Sequence, residues 1–393
     1  MSVSQKIRTA MASSSWIRRM FEEGAELKAR LGPERVYDFS LGNPNLEPPP
    51  RFKEELAAVV ADPAPGLHSY MPNAGLPATR EALAAYLGQT HGLTFSAADL
   101  ILTCGAAGGL NIILKAILDP GDEVVIFAPF FPEYFFYADN HGGAAVAAET
   151  DENFQIDLEQ LGAVLSSRTR AVIINSPNNP TGAMYPEAAL AQLGRVLADH
   201  GKRQGRAIYL LADEPYSRLV YDGATLPSIF AAYPDTILAT SFSKDLSIPG
   251  ERLGYVAVSP RAEARAELTA GLILANRILG FVNAPVLMQR VVARLTGVSV
   301  DLSPYTRNRD LLGGILREAG YDFLMPQGAF YFFPRAPGGD DLAFVQRLKE
   351  EHILGVPGRG FGREGYFRLA FCVSERVIKG SAAGFARAIR DMR

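Results

Sequence analysis

The chain has 393 residues, 48% of them hydrophobic and 21% charged, and a net charge of −3. That balance suits a globular protein with a large core and room for a smaller lobe, and gives no electrostatic footing to nucleic acid or an anionic membrane as partner. The two cysteines, Cys104 and Cys372, lie far apart in apolar contexts, which argues against a disulfide framework or a cysteine metal site.

The opening, MSVSQKIRTAMASSSWIRRMFEEG, lacks the apolar core of a signal peptide. No run reaches the roughly 18 apolar residues of a membrane span, so a soluble cytoplasmic protein is expected. Residues 51–62 and 77–90 carry apolar residues at helical spacing. Apolar strand-like runs then alternate with helical ones. Strands are expected at 100–103, 123–128, 170–176, 207–213 and 236–243, with helices at 106–118, 132–140 and 186–201. The strands are almost continuously apolar, as strands buried on both faces must be, and the alternation predicts a mostly parallel sheet covered by helices. A long helical stretch follows over about 260–296. Beyond it come a helix at 303–320, a strand in GAFYFFP, a helix in DDLAFVQRLKEE, a strand in YFRLAF and a final helix. This α+β tail is expected to form a small domain together with the N-terminal residues.

The polar signatures TCGAAG, APFFPEY, SPNNPTG, ADEPY and SFSK all fall at strand ends. Ligands of parallel sheets bind at the carboxyl ends of the strands, so these five stretches point to one site. In SFSKDLSIPGERLGY, Ser241 and Ser243 offer hydroxyls, Arg252 offers a planar fork suited to phosphate, and the Lys244 amine can form a Schiff base with an aldehyde. A phosphate-bearing aldehyde that needs a lysine is pyridoxal 5′-phosphate, whose ring also needs an acid partner, a hydroxyl donor and an aromatic neighbour. Asp213 ends a strand expected to be buried, where an unpaired carboxylate is costly and a pyridinium N–H would compensate it. Tyr216 and Asn179 can donate to the ring hydroxyl, and Phe131 can stack on the ring. The backbone N–H groups of Ala106 and Ala107, at a helix start, can face the phosphate. Taken singly, Asp213 and Asn179 read as turn residues and Tyr216 and Phe131 as core aromatics; the fixed offsets around Lys244 bind them together.

With these motifs the sequence resembles the class I/II aminotransferases, pyridoxal-phosphate enzymes of fold type I, over essentially its whole length. The carrying patterns are S-x-S-K-x-x-x-x-P-G-x-R-x-G-Y, SPNNPTG and DEPY. The resemblance implies a mostly parallel seven-stranded sheet in a large domain at 46–298. A small α+β domain at 299–393 is joined by the segment 1–45. It implies Lys244 as the cofactor-bonding lysine and Asp213 as partner of the pyridine nitrogen. Ser241, Ser243, Arg252 and the Gly105–Ala107 turn become phosphate ligands, and Asn179 and Tyr216 partners of the ring oxygen. HSYMPNAGLPATREAL implies that Tyr70 reaches the phosphate of the other subunit in a homodimer. YFRLAF implies Arg368 as the grip on the substrate carboxylate, with the backbone around Gly42 closing over the same group. Two alanines stand in the phosphate turn where many relatives carry Ser, Thr or Gln. Arg277 lies in the region where some members place an arginine for a side-chain carboxylate, without matching in register.

The implied activity is transamination between an L-amino acid of aspartate, alanine or aromatic type and a 2-oxo acid, with 2-oxoglutarate as the expected acceptor. A β C–S lyase on the same scaffold is the alternative, and a non-catalytic cofactor-binding sensor a remote one. GFGREG (360–365) also satisfies G-x-G-x-x-G, but that fingerprint must open a helix, and here a strand-like run follows.

Overall fold

The protein is described by a computed structural model over residues 2–12 and 16–390. Its strands in chain order are β1 (Tyr37–Asp38), β2 (Leu100–Thr103), β3 (Glu123–Ala128), β4 (Ala144–Glu149), β5 (Thr169–Asn175), β6 (Tyr209–Asp213) and β7 (Thr236–Ser241). There follow β8 (Gly254–Val258), β9 (Tyr331–Phe332), β10 (Ile353–Leu354), β11 (Val356–Pro357) and β12 (Phe367–Ala370). Seven of them form one sheet in the order β2-β8-β7-β6-β5-β3-β4. The pairs from β7 through β4 are parallel, while β8 runs antiparallel to both of its neighbours.

Strand side chains alternate between the two faces, and the apolar residues sort accordingly. Leu100, Leu102, Val125, Phe127, Val172, Ile174, Leu210 and Leu238 join one core. Ile101, Val124, Ile126, Ile173, Leu211 and Ile237 join the other, together with the buried face of the Gly105–Ile117 helix. Every residue of β2, β3, β6, β7 and β8 is buried, which is why those strands read as unbroken apolar runs.

A separate aromatic core unites the two chain ends. Met20 and Phe39 pack with Tyr305, Phe330, Phe332, Phe344, Phe367, Phe371 and Phe385. The backbone ties the same regions together, because β1 pairs in parallel with β10, and β9, β12 and β11 form a small antiparallel sheet. The N-terminal segment therefore packs with the C-terminal layer.

Two strands escaped the sequence reading and one local expectation is corrected. Edge strand β4 was not legible as a strand, because its sequence AAVAAE is mostly alanine, a residue depleted in strands. Strand β8 hides in the GYVAV that follows the lysine motif. The helical stretch expected over 260–296 is two helices, Arg265–Ile278 and Val286–Ala293. Gly280 and Val282 have left-handed φ values of 87° and 60°, and Pro285 precedes the second helix, so the backbone cannot run straight through. GFGREG leads into β12 rather than a helix.

The strand register gathers the polar ends. Asn175 lies beside Asp213, Asp213 beside Ala239, and Ser241 and Thr103 both lie beside Gly254. A Cβ on Gly254 would stand 2.3 Å from the Thr240 carbonyl oxygen and 2.9 Å from the Gly105 backbone carbon. Only glycine lets β7, β8 and the start of the Gly105 helix approach so closely. Gly254→Ala should therefore cost roughly 1–3 kcal/mol of stability, the range for overpacking a filled interior. Urea unfolding should show a lower midpoint at an unchanged m-value; an unaltered midpoint would contradict this packing.

Candidate active site

Asp213 is the last residue of β6, held at its side chain by one neighbour and at its backbone by another. The helix Glu133–Asp139 after β3 supplies Tyr134, whose hydroxyl donates to Asp213 Oδ2 at 2.6 Å. The Asn175 side chain donates to the Asp213 carbonyl at 2.7 Å and accepts from the Asn179 backbone N–H at 2.7 Å, which locks the SPNNPTG loop onto the strand end. Asp213 Oδ1 is buried and has no hydrogen-bond partner. Burial pushes its carboxyl up to about 6, against the lowering bond from Tyr134. A buried carboxylate with one bare oxygen calls for a cationic or N–H partner.

Lys244 lies at the turn after β7, and its Nζ donates to the Gly42 carbonyl at 2.8 Å. The ammonium also sits 5.4 Å from the Phe330 ring centre. Burial lowers its pKa to about 8, and the nearby Arg368 and Arg252 guanidiniums push the same way. Near neutrality this amine is far more often uncharged than an ordinary lysine, which makes it a nucleophile and a proton carrier.

Arg368 in β12 is buried, with its guanidinium stacked 4.6 Å from the Tyr331 ring centre and 4.8 Å from that of Phe361. Its Nη1 donates to Asn179 Oδ1 at 3.0 Å and its Nη2 to the Ser40 carbonyl at 2.6 Å, while Nε is buried without a partner. Part of the fork thus remains free for an anion. Tyr216 and Tyr331 share a 2.9 Å hydroxyl contact, and Tyr331 presses on Gly42, where a Cβ would fall 1.8 Å from its hydroxyl oxygen.

The helix Gly105–Ile117 begins beside these groups. Its N-cap Cys104 makes no side-chain capping bond, so the first-turn N–H groups are left to another acceptor. Gly105 has φ 72°, and a Cβ there would lie 3.0 Å from Arg252 Nη2, so a bare backbone and a guanidinium meet at this turn.

Gly42, Ala106, Ala107, Phe131, Asn179, Asp213, Tyr216, Lys244 and Arg368 line one cavity of about 250 Å³ together with Leu110, Tyr137, Asn175, Pro215 and Tyr331. Gly105, Ser241, Ser243 and Arg252 do not line it; they sit at the adjoining ends of β7, β8 and the helix start. Two sequence candidates stand apart. Tyr70 is 93% exposed, and Arg277 is exposed on the Arg265–Ile278 helix; neither lines this cavity. Tyr134, Tyr137, Asn175 and Tyr331 escaped the sequence reading. The first two follow Phe131 at intervals of three, a helical spacing that was visible but had no partner to give it meaning.

The chain matches the family described as aminotransferase class I and II over residues 34–383. It belongs to that family. It is 32% identical to the aspartate/prephenate aminotransferase of Thermus thermophilus over 357 residues, covering 88% of this chain and 89% of that one. It is 30% identical to the aspartate aminotransferase of Pyrococcus horikoshii, covering 94% and 93%. Among solved structures, an amino transferase from Eubacterium rectale superimposes with a TM-score of 0.97 at 40% identity over the whole of both chains. The Thermus thermophilus aspartate aminotransferase with maleate gives 0.88 at 28% identity, over 99% of this chain and all of that one. The chain is a transaminase of the aspartate aminotransferase fold.

This transaminase carries three acids drawn out of water, Asp213 and Glu214 buried and Asp245 half-buried. Burial pushes Asp213 to about 6, Asp245 to about 7 and Glu214 to about 8. Each binds its proton more tightly in the folded chain than in the unfolded one, so each contributes stability at low pH that is lost as pH rises through its folded pKa. His91, lowered to about 4 by burial, and Lys244 oppose this trend weakly near pH 7. Ligand-free protein should therefore lose on the order of 1 kcal/mol of stability between pH 6.5 and 7.5. Glu214→Gln combined with Asp245→Asn should flatten that slope in denaturant titrations; a steeper or unchanged slope in the double variant would refute the assignment.

Proposed function

We propose that this cavity holds pyridoxal 5′-phosphate and that the protein, as a homodimer, moves the amino group of an L-α-amino acid to a 2-oxo acid. The observation that carries the reading is that Lys244 and a buried Asp213 carboxylate with one unpartnered oxygen line the same cavity. The residues fit the group. Asp213 Oδ1 would accept the pyridine N–H, and the Tyr134 bond leaves that oxygen free for it. Asn179 and Tyr216 would meet the ring hydroxyl, and Phe131 would stack on the ring. The uncapped Gly105–Ala107 helix start, Ser241, Ser243 and Arg252 would hold the phosphate. Tyr70, exposed and away from its own cavity, is assigned to the phosphate of the second subunit.

When bound, the cofactor supplies an aldehyde that captures the substrate amine and a protonated ring that takes up the electron pair left at Cα. The chain's own residues do the rest. Asp213 keeps the pyridine nitrogen protonated. Lys244 would hold the cofactor through its amine, and its Nζ would carry the substrate's Cα proton, a role for which a pKa of about 8 is suited. Arg368 offers its unpartnered Nε–H and remaining Nη–H groups to the α-carboxylate, beside the Gly42 backbone. On this reading residues 46–298 form the cofactor-holding unit, and 299–393 with 1–45 form the unit that brings Arg368. Among the described residues no helix is long and apolar enough to cross a membrane, which agrees with action in the cytoplasm.

Lys244→Ala should abolish amino transfer without unfolding the protein, and Asp213→Asn should bind the cofactor yet lose on the order of 10²-fold or more in rate. Transfer by either variant at the parent rate would sink the reading. Release of pyruvate and ammonia without an oxo acid would turn it toward elimination.

Arg368→Lys isolates the substrate grip. An ammonium cannot reproduce two parallel charge-assisted bonds, so kcat/KM for α-amino acids should fall by roughly 2–5 kcal/mol. Cofactor affinity and the turnover of amines without a carboxylate should change little. Equal losses for amines and amino acids would reduce Arg368 to a structural role.

A further inference from the structure

Tyr331 lines the cavity and touches three groups to which the proposed chemistry gives a role: Tyr216, Gly42 and Arg368. It begins β9 and pairs with Ala370 of β12, two residues from Arg368. Residues two apart on a strand share a face, so the tyrosine ring comes to lie under the Arg368 guanidinium, 4.6 Å away. The ring is fixed on its other side by edge-on contacts to Phe330 and Tyr216, with centres 5.0 and 5.8 Å apart. Its hydroxyl sits 2.9 Å from that of Tyr216 and close over the Gly42 backbone, where a Cβ would fall 1.8 Å from it. The Tyr331 hydroxyl therefore has one fixed place.

Among the described residues, each of these two buried hydroxyls bonds only the other. Each has one proton to give and can accept more than one bond, so the pair spends one proton and keeps one over. Burial raises the Tyr216 phenol well above its ordinary value, but raises Tyr331 only to about 12, because Arg368 pulls it back. The stronger acid is the better donor, which gives the bond to Tyr331 and leaves the Tyr216 proton for the cavity. An oxygen that accepts one hydrogen bond also polarises its own O–H, so the proton left over is the stronger for the pairing.

We propose that Tyr331 is a positioning residue, whose hydroxyl donates to Tyr216 Oη and so turns the Tyr216 proton toward an anionic ring oxygen held in the cavity. This rests on the reading in which Tyr216 meets the cofactor's ring hydroxyl, and deepens it. One side chain would then support both halves of the site, with its face under Arg368 and its hydroxyl behind Tyr216.

The experiment measures, by calorimetry on the whole chain freed of cofactor, binding of pyridoxal 5′-phosphate and of its 3-deoxy analogue, which lacks the ring oxygen. Tyr331→Phe keeps the ring beneath Arg368 and removes the hydroxyl alone. It should weaken pyridoxal 5′-phosphate about three- to tenfold, the worth of one hydrogen bond, and leave the analogue within about twofold, which also shows that the variant is folded. Tyr216→Phe should show the same dependence on the ring oxygen. Adding Tyr331→Phe to Tyr216→Phe should cost nothing more, because the one acts through the other. In the loaded protein, the pH at which the visible absorbance of the bound cofactor changes should rise in Tyr331→Phe, since a ring oxygen with a weaker donor holds its negative charge less well. Equal losses for the two compounds, or a full further loss on top of Tyr216→Phe, would overturn the inference and leave Tyr216 as the ring's partner. If Tyr216→Phe itself shows no dependence on the ring oxygen, the assignment of Tyr216 falls and this inference falls with it.

Discussion

The constraint on which the site depends is a carboxylate that the fold buries and only half satisfies. Asp213 ends a strand with no exposed residue, one oxygen bonded to Tyr134 and the other bare. Leaving such a group unpaired costs free energy that a protein assembled only for stability would avoid. Its neighbours hold it in place all the same: Asn175 fixes its carbonyl, β5 and β7 fix its strand, and Tyr134 fixes which oxygen stays free. Strain of this kind, imposed by well-packed surroundings, is what a ligand with a complementary N–H relieves.

The sheet supplies the rigid half of the site and the C-terminal layer supplies the other. Lys244 crosses between them by donating to the Gly42 carbonyl, and Arg368 crosses back by donating to Asn179 Oδ1. Farther out, the Phe130 N–H donates to the Phe361 carbonyl, and Arg363 pairs with Glu149. Arg368 is thus held by the loop that carries Asn179. On the proposed reading, carboxylate binding and cofactor geometry would be mechanically linked through Asn179, whose Oδ1 accepts from Arg368.

Phe131, Tyr134 and Tyr137 recur at intervals of three, so one short stretch of chain braces the Asp213 carboxyl through Tyr134 and lines the cavity with Phe131 and Tyr137.

The sequence by itself determined the chemistry and the architecture. Continuous apolar runs can only be strands buried on both faces, and polar motifs at their ends can only converge where parallel strands finish. Lys244, Asp213, Asn179, Tyr216 and Arg368 were legible for that reason, since each belongs to a local pattern. The alanine-rich edge strand β4 and the break at Gly280–Pro285 were less legible, because edge pairing and a change of helix direction leave weak local signals. Only the tertiary structure decided which residues meet across long separations. Tyr134 lies 79 residues from Asp213, Tyr331 lies 115 from Tyr216, and Arg368 lies 189 from Asn179. Such contacts carry no periodicity and no spacing rule; they exist because the strand register and the aromatic core bring distant side chains to one edge of the sheet. Whether a carboxylate oxygen is left bare is a property of that assembly and of no single stretch of chain.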